Sequence, residues 1–201
     1  MVERVVDMAQ YLPLGNNILS DKDKEYVERF YGYICAGADK SRALGYYAYR
    51  ADNGDFVAHY IDGLCYYLAL DFINARKCFE SICAKSDSQS TFRHIDSSEF
   101  KIDAKDLQKI KARCYRHIGA IYDNGYGVNQ NYQKAVELYQ KACDLGDASA
   151  FCNLGVMYDN GQGVNVDKQK ALQLYKKACD MGDEKGCKNY RSLSDELNGG
   201  W

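Results

Sequence analysis

Two stretches of the chain are copies of one another. Gly119 to Asp147 reads GAIYDNGYGVNQNYQKAVELYQKACDLGD, and Gly155 to Asp183 reads GVMYDNGQGVNVDKQKALQLYKKACDMGD. They align without a gap at a period of 36 residues and are identical at 19 of 29 positions. A unit this short cannot enclose a core of its own. It buries its apolar face only against its neighbours, so the period predicts a solenoid of stacked units.

The same unit recurs, more diverged, in the first half. At a shift of 92, Asp39–Tyr67 falls on the boundary between the two clear copies: Ala43, Tyr47, Gly54-Asp55, Ala58, Gly63 and Tyr66 meet Ala135, Tyr139, Gly146-Asp147, Ala150, Gly155 and Tyr158. At a shift of 60, Asp71–Asp87 falls on Asn131–Asp147, with Ala75, Phe79, Cys83 and Asp87 in register. A shift of 60 where the period is 36 leaves 24 extra residues before the third unit. Part of the excess is helical, since Asp103 can cap a run carrying Leu107, Ile110, Cys114, Ile118 and Ile121 on one stripe. The rest, about 88–102, reads as a polar loop longer than a solenoid needs.

Helices are predicted over roughly 21–36, 40–52, 56–69, 71–85, 104–123, 131–145, 148–160, 167–181 and 184–195. They alternate as the A and B helices of about four units (18–52, 53–86, 104–146, 147–182), closed by a terminal helix over 183–195. An arm over 1–17 precedes them and a tail over 196–201 follows. The repeated Gly-Asp (54–55, 146–147, 182–183) has a local cause. Glycine ends one helix in the left-handed region and aspartate caps the next. Small residues at Ala58, Ala150, Gly63, Gly119 and Gly155 predict close helix approach, and Asn131 and Asp167 are expected N-caps.

Composition narrows the function classes. The hydrophobic fraction is 46%, the net charge −2, and the one proline is Pro13. This is the balance of a folded, helical chain. No basic block marks a nucleic-acid surface, and no apolar run is long enough to span a bilayer, so neither partner is expected. The first residues, MVERVVDMAQYLPLGNN, do not read as a signal peptide.

The pattern A…LG-x-x-Y-D-x-G-x-G-V…D-x-x-K-A-x-x-L-Y-x-K-A resembles the Sel1-like repeat, a relative of the tetratricopeptide repeat. With Cys143 and Cys152, and Cys179 and Cys187, bracketing the helix junctions, the chain is similar to the Helicobacter cysteine-rich proteins. The resemblance implies an all-α, right-handed solenoid of antiparallel helix pairs. It also implies disulfides joining the end of each B helix to the start of the next A helix, here Cys143–Cys152, Cys179–Cys187 and, across the insertion, Cys83–Cys114. The spacing departs from uniformity: eight residues separate Cys143 from Cys152, and seven separate Cys179 from Cys187. Buried reduced thiols are the alternative. The compartment follows the same division: exported by the resemblance, cytoplasmic if Met1 is the true start. Cys65 and Cys78 read as core thiols and Cys35 as the odd one of nine. A zinc reading would use Cys78, Cys83, His94, Cys114 and His117, with Cys114-x-x-His117 at ligand-like spacing. The other spacings fit no ligand pattern, and no metal or other cofactor is expected.

Some of the cysteine-rich relatives are described as β-lactam-binding or β-lactam-hydrolysing, which makes such an activity the alternative function. Serine enzymes of that chemistry use Ser-x-x-Lys with Ser-Asp-Asn and Lys-Thr-Gly. Only Ser98-Glu99-Phe100-Lys101 fits any of these, so Ser98 and Lys101 are the weak catalytic candidates. The preferred reading is a non-catalytic, monomeric scaffold that binds a protein or peptide on a concave face of A helices. Eighteen tyrosines suit such recognition. Tyr122, Tyr139, Tyr158 and Tyr175 hold repeat positions and read as packing. Tyr46, Tyr49, Tyr67, Tyr126, Tyr132 and Asn153 are the candidate contacts.

Overall fold

A computed structural model describes residues 56–68, 70–84, 91–93, 99–101 and 104–199. Seven helices lie among them: α1 (Phe56–Leu68), α2 (Phe72–Ala84), α3 (Ala104–Asn124), α4 (Tyr132–Asp144), α5 (Ala148–Asn160), α6 (Lys168–Asp180) and α7 (Glu184–Leu197). Each helix packs against the next in sequence, and α7 also touches α5. This is the stacked helix-pair solenoid that the period predicts. The expected helices at 21–36 and 40–52, and the arm over 1–17, lie outside the described residues.

The helix ends follow from local chemistry. Gly146 and Gly182 take φ of +85° and +91°, where a side chain is strained. The aspartates after them accept from backbone N–H groups, Asp147 from Ala150 at 2.8 Å and Asp183 from Gly186 at 2.7 Å. Asn131 and Asp167 cap the B helices in the same way, through Lys134 N at 3.0 Å and Lys170 N at 2.9 Å.

One contact sets the spacing of the two helices in each unit. An A-helix glycine lies under the aromatic ring of its B helix: Gly63 under Phe79, Gly119 under Tyr139, Gly155 under Tyr175. A Cβ on these glycines would stand 2.5, 2.8 and 2.6 Å from ring carbons. The ring therefore occupies the volume that any larger residue needs. Around the second and third of these contacts lie two clusters. Ala135, Tyr139, Ala142, Cys143, Ala150, Leu154 and Met157 form one. Cys152, Ala171, Tyr175, Ala178 and Leu193 form the other.

A second contact joins unit to unit. In each Asp-Asn-Gly-x-Gly-Val loop the second glycine sits on the first residues of the preceding B helix. A Cβ on Gly163 would meet the Tyr132 carbonyl carbon at 2.5 Å, and one on Gly127 would meet Ile73 Cγ1 at 3.1 Å. Tyr132 and Phe72, and Gln133 and Ile73, occupy equivalent positions. The loop is thus an inter-unit wedge as well as a hairpin turn.

Two expectations are corrected. The insertion is not wholly loop: Thr91–Arg93 (β1) and Glu99–Lys101 (β2) pair antiparallel, with Phe92 opposite Phe100. Three residues per strand are too few for alternation to stand out in the sequence. The second correction concerns cysteines. Cys179 and Cys187 are bonded, with Cα atoms 4.4 Å apart, whereas Cys143 and Cys152 are both thiols. Cys187 has Phe151 as its equivalent one unit earlier, so Cys152 stands one residue too late. One residue is about 100° around a helix. That rotation carries Cys152 out of the cluster containing Cys143 and into the next one, where its sulfur accepts from Asn189 Nδ2 at 3.6 Å. Burial pushes the Cys143 thiol up to about 12 and the Cys152 thiol up to about 11, so both stay protonated. Cys83 and Cys114 are thiols as well.

Candidate functional site

The consensus tyrosines pack as the sequence predicts. Tyr139 donates its hydroxyl to Asp123 at 3.1 Å, and Tyr175 donates to Asp159 at 3.4 Å. Tyr122 and Tyr158 accept from Lys134 and Lys170 at 2.8 and 2.7 Å, and each lysine lies 4.1 Å from the same ring's centre. These pairs fasten the end of each A helix to the start of its B helix. They also occupy Asp123 and Asp159. Burial raises the Asp123 carboxyl, and the hydrogen bond from Tyr139 draws it back only in part.

Of the six candidate contact residues, Tyr46 and Tyr49 lie outside the described residues. Tyr67 and Tyr126 belong to a run of rings that leads from the surface into the core. Tyr126, 40% exposed, stacks on Phe72 at 4.4 Å. Phe72 meets the edge of Tyr67 at 5.2 Å, and Tyr67 meets His117 at 5.2 Å. His117 stacks on Phe79 at 5.2 Å, and Phe79 faces Tyr60 at 6.1 Å. Beside the outer end, Leu70 and Ile73 are 74% and 47% exposed. Tyr67 is therefore mainly a packing residue, while Tyr126 presents one face to solvent. The sequence gives no hint of this run, because its members come from three helices and a loop.

Tyr132 lines an open groove of about 400 Å³ with Gln130, Asn131, Gln133 and Gly163, at the inter-unit wedge described above. The equivalent positions one junction earlier are Leu70, Asp71, Phe72, Ile73 and Gly127. One junction of the loop edge is thus apolar and the next is amide-rich.

Asn153 is half-buried on α5, and its side chain makes no hydrogen bond among the described residues. The same register holds His117 on α3 and Asn189 on α7. Asn189 is engaged by Cys152 Sγ. His117 is 3% exposed, and its Nε2 has no partner among the described residues. Burial pushes its basicity far down, and the neighbouring Arg116 and Arg113 add to the effect. Arg116 itself pairs with Asp147 at 3.1 Å, tying α3 to the cap of α5.

The catalytic candidates are Ser98 and Lys101. Ser98 lies outside the described residues. Lys101 lies on the extended backbone of β2, not on a helical turn. Among the described residues, no three His, Cys, Asp or Glu side chains gather in an arrangement able to hold a metal ion. His94 lies outside them. Nor is any described helix long and apolar enough to cross a membrane.

Comparison with known proteins agrees with the repeat reading. Residues 112–147 and 148–183 each match the Sel1 repeat. The fold is similar to the crystal structure of a Sel1 repeat protein from Oxalobacter formigenes, at 22% identity and a TM-score of 0.53, over 84% of this chain and 64% of that one. It is also similar to c5321, a protective antigen present in uropathogenic Escherichia coli strains displaying an SLR fold. There the identity is 20% and the TM-score 0.57, over 87% of this chain and 34% of that one. The chain thus spans less than two thirds of the length of either protein. Helicobacter pylori cysteine rich protein B is 26% identical over 73% of this chain and 91% of its own, with a TM-score of 0.45. No curated protein matches the chain in sequence.

Proposed function

From a chain that carries two Sel1 repeats, we propose a non-catalytic scaffold that binds an extended protein or peptide segment along its A helices. The observation that carries this reading is Asn153. A partly exposed amide at a repeat register, with neither its donor nor its acceptor used among the described residues, matches the alternating donors and acceptors of a peptide backbone. Its counterpart Asn189 is spent on Cys152, so α5 offers what α7 does not. Helix-pair arrays also present extended faces on which several such registers line up. Tyr126, with one ring face on Phe72 and the other open, supplies an aromatic anchor at the loop edge.

The test is selection from a short-peptide display library on the immobilised full chain, followed by titration of an enriched peptide. Asn153→Ala is expected to weaken binding by about tenfold, the scale of one or two lost hydrogen bonds. Removal of residues 88–102 is expected to leave binding intact. Enriched peptides that bind Asn153→Ala as well as the parent, or that need the 88–102 stretch, would overturn the reading.

A further inference from the structure

We propose that Asn160 is a site of spontaneous modification, at which the Asn160-Gly161 step closes to a cyclic imide and opens with water to aspartate or isoaspartate. Asparagine before glycine is the sequence most open to this reaction, because glycine puts no side chain in the way of its own nitrogen. The repeat carries the step twice, as Asn124-Gly125 and Asn160-Gly161, at the ends of α3 and α5. Asn53-Gly54 lies outside the described residues, and Asn198-Gly199 has no repeat counterpart. The backbones of the two loops are alike. Gly125 and Gly161 both take φ of +69°. Tyr126 N donates to Ile121 O and Gln162 N to Met157 O, each at 2.9 Å. Asn131 N and Asp167 N close the loops onto Tyr122 O and Tyr158 O, again at 2.9 Å. The side chains are not alike. Asn124 donates its Nδ2 to Ala120 O at 2.8 Å, and Gln130 donates Nε2 to Asp123 O at 2.7 Å, which straps the loop across the step. Asn160 makes no side-chain hydrogen bond among the described residues. In the place of Gln130 stands Val166, which packs toward Gly161 and has no donor to give the Asp159 carbonyl. One copy of the step is thus tied twice through side chains, and the other is not.

In the folded chain Gly161 N–H donates to Met157 O, so its nitrogen reacts after the last turn of α5 opens locally. The nitrogen then loses its proton and attacks Asn160 Cγ. The Cγ–Nδ2 bond breaks, and Nδ2 leaves as ammonia, carrying a proton with it. Water adds to either carbonyl of the imide. At Cγ it restores the backbone amide and gives aspartate; at the backbone carbonyl carbon it leaves the chain running through Cγ and gives isoaspartate. In sum, an amide and water become a carboxylate and ammonium. Either product sets a negative charge at the C-terminal end of α5, beside Asp159, where the helix dipole already has its negative pole. Isoaspartate also adds a methylene group to the backbone of the loop whose Gly163 sits on Tyr132, so it acts on the wedge between two units.

The experiment holds the full chain at mildly alkaline pH and body temperature, folded in one series and in urea in another. Peptides are mapped by mass spectrometry, and isoaspartate is labelled with an isoaspartyl methyltransferase. In the folded series Asn160 is expected to convert about tenfold faster than Asn124, the scale of two side-chain hydrogen bonds missing from its loop. In urea the two rates should converge, since both steps read Asp-Asn-Gly. Gln130→Val is expected to speed Asn124 in the folded chain; the position is exposed, so the change leaves the core packing alone. Equal folded rates, a faster Asn124, or an Asn160 that stays intact while the urea series converts would overturn the proposal. So would a Gln130→Val variant whose Asn124 converts no faster. A difference that persists in urea would overturn it as well, because the residues after the glycines, Tyr126 and Gln162, would then be its cause.

Discussion

His117 shows at the scale of one residue how burial sets chemistry. Its ring is stacked on Phe79, set edge-on to Tyr67, 3% exposed, and left with an Nε2 that has no partner among the described residues. A proton there would add a cation beside Arg116 and Arg113, and these, after burial itself, hold the imidazole neutral. The folded protein therefore binds this proton only well below 6.5, whereas the unfolded chain binds it near 6.5. Stability from this group is complete above that value and is lost as pH falls toward the folded value. The slope is at most about 1.4 kcal/mol per pH unit for one proton. Denaturant midpoints of the parent and His117→Gln should diverge between pH 7.5 and about 5, the parent losing more. Parallel midpoints would show that His117 takes its proton in the folded state. In the sequence, His117 reads as half of a ligand-like Cys114-x-x-His117 spacing. Its real neighbours, Phe79 and Tyr67, are far off along the chain, and no local pattern connects them.

At the scale of helices, the sequence was legible wherever the cause is local. The ends of α4 to α7 fall within two residues of their predicted positions, because a glycine and a capping side chain fix each one. The close approach within units was legible too, as small residues at a repeated place, although which ring fills the space was not. The pairing of β1 with β2 was not legible, and of the mismatch of Cys143 with Cys152 only the one-residue difference in spacing was, since where each sulfur points is settled after the helices have packed. The glycine-under-ring contact gives the sharpest test at this scale. Gly155→Ala puts a methyl where Tyr175 stands, 2.6 Å from the nearest ring carbon. Overpacking of this kind costs about 1–3 kcal/mol, more than the gain alanine brings within a helix. Thermal unfolding should show a lower midpoint for Gly155→Ala, and Gly155→Ala with Tyr175→Leu should recover part of the loss. A midpoint equal to the parent's would mean that α5 and α6 can separate without penalty.

At the scale of the whole molecule, stability is a chain of neighbour contacts, so an end is held by less than the middle. α7 packs on α6 and α5 and has no following B helix among the described residues. Its Lys185, Lys188, Arg191, Ser192 and Asp195 are exposed, and the polar outer face works as a cap. Its ties include Leu193 in the last cluster, the ion pair from Lys168 to Glu196, the hydrogen bond from Asn189 to Cys152 and the Cys179–Cys187 bond. The bond closes a short loop, for which chain entropy gives about 2.5 kcal/mol. Because, among the described residues, the end unit alone carries such a bond, reduction should act at the end and leave α3 to α5 as they were. Hydrogen exchange of the reduced chain is expected to show α7 and the last turn of α6 losing protection well before α4 and α5. Uniform loss along the array would mean that the units unfold as one cooperative block, and that the nearest-neighbour picture fails for this chain.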